Sequence, residues 1–282
     1  MSKRIQIIPK DILFPEAIVL DNSENRVREL YDKANRKTAE KFGKNSLAYK
    51  TITNGIDMKN VTGSQFFWNT ELGKYLPKNL RVITLKDMEQ INDINKDFFK
   101  GFYTDASMII LRTEVPTWDD NKHILDYLVK QVKEKNQEFS SENPLIISGL
   151  ELIKDENTEN HYGLLLQIGE ETAMINDKRF GYSNNQKKIP FGEKTKKIYA
   201  KKDGLSRLCL DRSSNLNSFV GVLAGSDSGG RVVLVDTEGV SQTFLDKKLT
   251  ELQTQKDAQI EKINLNYQKA KEILKAKEND KN

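Results

Sequence analysis

Residues 205–235 read LSRLCLDRSSNLNSFVGVLAGSDSGGRVVLV. The stretch contains no Lys, Glu, Gln, Met or Trp. Those types make up roughly a quarter of the chain, so average usage would put about 8 of them in a window this long. They are also the amino acids whose codons all end in a purine. Where the stretch is extended, a period of two sends Leu208, Leu210, Leu216 and Ser218 to one face. It sends Cys209, Asp211, Ser213, Asn215, Asn217 and Phe219 to the other. Arg212 and Ser214 interrupt the apolar set and mark a turn. Leu223 and Ala224 read as a further internal anchor, and 231–235 as a buried strand. An inner scaffold of leucines and valines thus carries an outward set of chemically unrelated types. A catalytic surface would show a convergent acid, base or nucleophile set. A recognition surface can use Ser, Gly and Asn beside a few larger contacts. The expected ligand-contacting residues are Cys209, Asp211, Arg212, Ser213, Asn215, Asn217, Phe219, Val220, Gly221, Val222, Gly225, Asp227, Ser228 and Gly229. Arg212 and Phe219 are the energetic anchors by residue type.

The missing vocabulary has a codon-level reading. Adenine-directed mutagenesis of AAC-type codons reaches Asn, Ser, Asp, Gly, Cys, Phe, Val and Arg. It cannot reach Lys, Glu, Gln, Met or Trp, because the third base stays a pyrimidine. The frame Gly204-Leu205-Ser206-Arg207-Leu208-x-Leu210, Leu216-x-Ser218, Leu223-Ala224-x-Ser226, Gly230-Arg231-Val232-Val233 resembles the variable region of diversity-generating-retroelement target proteins. The resemblance covers about residues 204–235. It implies a C-type-lectin-like domain that displays variable residues for ligand binding, without catalysis and without a cofactor. The chain departs from the usual layout of that family in having a helical segment after the region. A buried β segment also avoids Lys, Glu and Gln on its own account, so an unrelated structural or interaction protein remains a second reading.

Around this segment the expected fold class is α+β, with strands following a helical half. Residues 1–140 read as a mixed α/β supporting region, 144–240 as a β-rich display domain, and 242–282 as a long charged helix. A helix is expected from about 23, capped by Ser23, to 42. Its buried stripe is Val27, Leu30, Tyr31, Ala34, Thr38 and Phe42, and its outer face carries interleaved basic and acidic residues. Residues 64–76 carry the aromatic cluster Phe66, Phe67, Trp68 and Tyr75, read as core in preference to a base-stacking platform. A strand is expected at 108–115 and an amphipathic helix from 119 or 120 to about 137. Further strands are expected at 145–153, 162–168, 173–176, 197–200, 205–211, 218–224 and 231–236. In the C-terminal segment Leu249, Leu252, Ile260, Ile263, Tyr267, Ala270 and Leu274 form an apolar stripe. It reads as a coiled-coil seam giving a homo-oligomer, or as one face of a helix lying back on the body.

Motifs for chemistry are sparse. Gly225-Ser226-Asp227-Ser228-Gly229-Gly230 resembles the Gly-Asp-Ser-Gly-Gly signature of trypsin-like serine proteases, which would make Ser228 a nucleophile. That chemistry needs a His base and an orienting carboxylate. Only His123, on an expected helix, and His161, in a polar turn, are available. Asp119, His123 and Asp126 can share a helix face, but capping and solvation account for them, and no metal is expected. The single cysteine, Cys209, excludes an internal disulfide. Net charge is +4 from 45 basic and 41 acidic residues, which gives no strong nucleic-acid signal. Pro9, Lys10 and Asp11 break any signal-peptide core, and no stretch approaches the roughly 18 apolar residues of a membrane span. The expectation is a cytoplasmic, non-enzymatic protein whose ligand is itself a protein.

Overall fold

The computed structural model describes residues 3–6, 16–116 and 118–237, together with 250, 253–254, 256–268 and 271 of the C-terminal segment. In chain order the elements are β1 (Arg4–Gln6), β2 (Glu16–Val19), α1 (Asn25–Phe42), α2 (Leu47–Ile52), α3 (Phe66–Lys74), β3 (Leu80–Val82) and α4 (Leu85–Ile94). There follow β4 (Thr104–Leu111), α5 (Lys122–Glu134), β5 (Leu145–Ser148), β6 (Glu151–Lys154), β7 (Leu164–Gln167) and β8 (Ala173–Asn176). The last are β9 (Lys187–Phe191), β10 (Lys194–Ala200), β11 (Leu205–Leu210), β12 (Leu216–Ser218) and β13 (Val233–Asp236). The class is mixed α+β, as expected.

Two sheets organise the body. A curled seven-stranded sheet runs β8-β5-β4-β11-β12-β10-β9, with every pair antiparallel except β10 and β12. A four-stranded sheet runs β1-β2-β13-β3. The strands β2 and β13 pair antiparallel from Val19–Val233 to Glu16–Asp236, so the entry and exit of the body are tied together. Helix α1 buries Val27, Tyr31, Ala34, Thr38 and Phe42 of the expected stripe, while Leu30 is only partly buried. Gly43, at φ 83, ends it in a conformation that favours glycine. Its first cap is Glu24, not Ser23. Phe66, Phe67 and Trp68 are fully buried. Trp68 packs on Tyr31 with ring centroids 5.2 Å apart, so the cluster is core. Helix α5 buries Ile124, Leu125, Leu128, Val129 and Val132.

Several expectations are corrected. The border expected between 140 and 144 does not divide the body: the compact units are Met1–Thr237 and Glu238–Asn282. Strand β4, from the expected supporting region, lies inside the large sheet between β5 and β11. Hydrogen bonding across a sheet, not chain order, decides which segments share a core. The single strand expected at 145–153 is two strands, because Gly149 turns the chain at φ 69 against the Glu171 carbonyl. Strand β9 adds an edge beyond the expected strands. It carries Pro190, which an edge strand tolerates. The strand expected at 218–224 is confined to β12, and the chain beyond it is irregular up to β13. The long C-terminal helix is also corrected: the longest described helical run, 256–268, covers 13 residues. Within it Ile260, Ile263 and Tyr267 are exposed. Leu249, Leu252, Ala270 and Leu274 lie outside the described residues.

Candidate functional site

The site is built by the hairpin β11–β12 and by the return loop to β13. Strand β11 lies between β4 and β12 and is buried along its whole length. Alternation therefore fails there, as it does for any strand covered on both faces. Cys209, expected outward, is only 5% exposed. Burial pushes its thiol well above the ordinary range, which leaves it a poor nucleophile.

The turn is fixed by Asp211. Its carboxylate accepts from the backbone N–H of Ser213 at 2.8 Å and of Asn215 at 2.9 Å. Ser214 takes a positive φ of 66, a conformation that such short polar turns accommodate. From 214 to 219 the expected period of two holds. Ser214, Leu216 and Ser218 are buried, Asn215 and Asn217 are partly exposed, and Phe219 is 55% exposed. Arg212 and Ser213 are exposed at the tip.

The return loop is anchored by residues far away in sequence. Asn54 donates to the Ala224 carbonyl at 2.9 Å, and Asn121 to that of Gly221 at 2.8 Å. Ser226 Oγ accepts from the Ser64 N–H at 2.9 Å and meets the Tyr103 hydroxyl at 3.0 Å. The Tyr103 hydroxyl in turn accepts from the Asp227 N–H at 2.7 Å. Gly221 is buried against Trp118, and a Cβ there would meet the indole at 2.2 Å. It serves as an anchor and not as the surface position expected. Val222, Asp227 and Ser228 are exposed, while Val220, Gly225 and Gly229 are partly exposed.

Seven of the expected residues share one concavity of about 310 Å³: Cys209, Asp211, Arg212, Asn217, Val220, Gly225 and Asp227. Tyr103, Arg207 and Ser226 complete its wall. Arg207 and Ser226 were placed in the frame by sequence, and Tyr103 carried no local signal. Arg207 Nη1 donates to Asp105 Oδ2 at 2.9 Å and to the Gly225 carbonyl at 2.5 Å. Burial raises Asp105 to about 7, and the nearby Arg207 offsets only part of that shift. At the rim Arg212 pairs with Asp227 at 2.9 Å. Ser213, Asn215, Phe219, Val222, Ser228 and Gly229 lie outside this concavity. Outside it Lys201 Nζ lies 4.8 Å from the Trp118 ring centroid and 5.4 Å from that of Phe219.

On the opposite side of the sheet a fully buried Arg112 ties the frame together. It donates to Ser206 Oγ at 2.7 Å, Ser218 Oγ at 2.9 Å and the Phe180 carbonyl at 3.1 Å.

Ser228 does not meet a histidine in this arrangement. His123 faces Glu159 at 3.8 Å and His161 faces Asp120 at 3.6 Å. The concavity that Ser228 lines contains neither histidine. Among the described residues no group of three or more His, Cys, Asp or Glu side chains is placed to hold a metal, and no helix is long and apolar enough to cross a membrane. Comparison with protein-family models, with characterised proteins and with solved structures finds no match to this chain.

Proposed function

We propose that this protein is a non-enzymatic binder that displays a diversified surface on a C-type-lectin-like scaffold, in the manner of diversity-generating-retroelement variable proteins. The observation that carries the reading is the separation of two classes of position within 204–235. Of the frame residues, all are buried except Ser226 and Arg231, which are partly exposed. Of the expected contact residues, all except Cys209 and Gly221 are at least partly exposed. Apart from Asp211, whose carboxylate fixes the turn, changes at the exposed positions leave the buried frame in place, and that is the property a diversified segment needs. The pairing of β2 with β13 and the anchors from Asn54, Tyr103 and Asn121 hold the irregular loop from outside the segment. Rigid support of a loop lowers the entropy that binding has to overcome.

The concavity is sized for one or a few side chains of a protein ligand, with Arg212 in its wall and Phe219, exposed outside it, as the principal contacts. Self-association through Ile260, Ile263 and Tyr267 would join weak single sites into an avid array. A library test addresses the reading. Arg212, Ser213, Asn215, Asn217, Phe219, Val222, Asp227 and Ser228 are randomised with pyrimidine-ending codons, displayed, and selected against an unrelated folded protein. The expected result is enrichment of folded binders with differing sequences. Failure to enrich binders from a library whose members are folded would reject the display role.

A further inference from the structure

A second concavity, of about 380 Å³, lies on the far side of the 211–215 turn. Lys96, Lys100, Lys188, Lys196 and Lys197 line it, against one carboxylate, Asp97. That carboxylate is already paired with Lys100 at 2.8 Å. Lys188 and Lys197 stand directly opposite each other on β9 and β10. Like charges in that register repel unless a counter-charge sits between them.

Lys196 is the most informative member of the group. It is only 8% exposed. Its ammonium donates to Asn92 Oδ1 at 2.7 Å and to Ser214 Oγ at 3.0 Å, both neutral acceptors. An ammonium carries three donors; two are used by these acceptors, and the Nζ also lies 5.4 Å from the Phe191 ring centroid. Burial pushes Lys196 down to about 8, although the neighbouring Asp211 acts the other way and Lys194 adds to the lowering. Asp211 Oδ1 accepts from the backbone of its own turn, and Oδ2 only from Asn215 Nδ2 at 3.4 Å. Lys188 on the edge strand β9 can discourage sheet-to-sheet pairing, but Lys196 is buried on the internal strand β10. Thr195, Ser213 and Asn215 add neutral polar groups to the wall.

We infer that this cleft is a binding site for a phosphate-bearing anion. A phosphate monoester carries nearly two negative charges and three acceptor oxygens, which suits several point-charge ammonium groups around a compact volume. A single carboxylate would leave most of the positive charge uncompensated. All five lysines lie outside 205–235, and only the neutral part of the wall, Ser213, Ser214 and Asn215, is shared with the segment read as diversified.

The test titrates the full chain with inorganic phosphate at fixed ionic strength, balanced with chloride, and follows ³¹P line broadening and heat of binding. Saturable binding at one site is expected, weakened at least tenfold in the exposed double variant Lys188→Gln/Lys197→Gln. Lys196→Met, with folding checked by circular dichroism, is expected to weaken it further. O-phospho-L-serine distinguishes the sources: binding at least as tight as that of phosphate assigns the cleft to a phosphoryl group carried on a larger ligand, and weaker binding assigns it to the free anion. Absence of saturation up to about 10 mM, or equal affinity in the folded double variant, overturns the inference.

Discussion

Leu216 is the sharpest place to perturb the framework. It is fully buried, and it sits between Leu210 of β11 and Ile198 of β10. Truncation to alanine removes three carbons from a site closed on both sides by strands. Such a change costs about 2–5 kcal/mol, the larger figures belonging to sites that cannot collapse. For a body of 237 residues, a loss of about 3 kcal/mol corresponds to a Tm lower by roughly 6–12 °C. The neighbouring positions behave differently. Ser213 and Phe219 are exposed, and substitutions at such positions stay within about 0.5 kcal/mol. Asn217 contributes one hydrogen bond, from the Phe219 N–H to its Oδ1 at 2.9 Å. Its loss costs about 1 kcal/mol. The assay is urea and thermal unfolding of Leu216→Ala beside Ser213→Gly, Asn217→Ser and Phe219→Ser. If Phe219→Ser or Ser213→Gly destabilises as much as Leu216→Ala, the division into frame and surface is wrong.

Four further outcomes are expected. Asp105 has an ordinary value of 3.8 and a folded value of about 7. Its contribution therefore favours folding fully below pH 3.8 and is lost as pH rises through about 7, by an amount on the order of 4 kcal/mol. Asp105→Asn should flatten the stability profile between pH 4 and 7, and an unchanged slope would contradict the assignment. Cys209 should resist iodoacetamide in the native protein at pH 8 and react on unfolding; rapid native labelling would mean that the floor of the concavity opens. A fluorophosphonate probe should leave Ser228 unlabelled, and stoichiometric labelling there would revive a hydrolase reading. Ile263→Lys should lower the mass measured by sedimentation equilibrium, whereas a monomeric parent at high concentration would remove the case for self-association.

The helices were the most legible part of the fold. Val27, Tyr31, Ala34, Thr38 and Phe42, and likewise Ile124, Leu125, Leu128, Val129 and Val132, are spaced so that one face must be buried. The sheet order was not legible, because nothing local tells β4 that its neighbour is β11, nearly a hundred residues later. That non-local pairing is why the expected border near 140 fails. In the site, alternation was readable from 214 onward, where one face of the chain meets solvent. It misled at Cys209, because β11 is an interior strand whose side chains are buried on both faces. Gly221 could not be placed from sequence, since its burial depends on Trp118. Tyr103 shapes the loop through its hydroxyl, a role visible only once Ser226 and Asp227 are beside it.

The central claim is that residues 204–235 combine a fixed frame with a diversified surface. It is tested most directly by sequencing the native locus, and codons 204–235 in particular, across many descendants of one lineage. The account predicts a reverse transcriptase beside the gene and an adenine-rich near-copy of these codons. It also predicts substitutions concentrated at Arg212, Ser213, Asn215, Asn217, Phe219, Val222 and Asp227, with the buried leucines and valines constant. A complete locus with neither element, and codons that never vary, would contradict it.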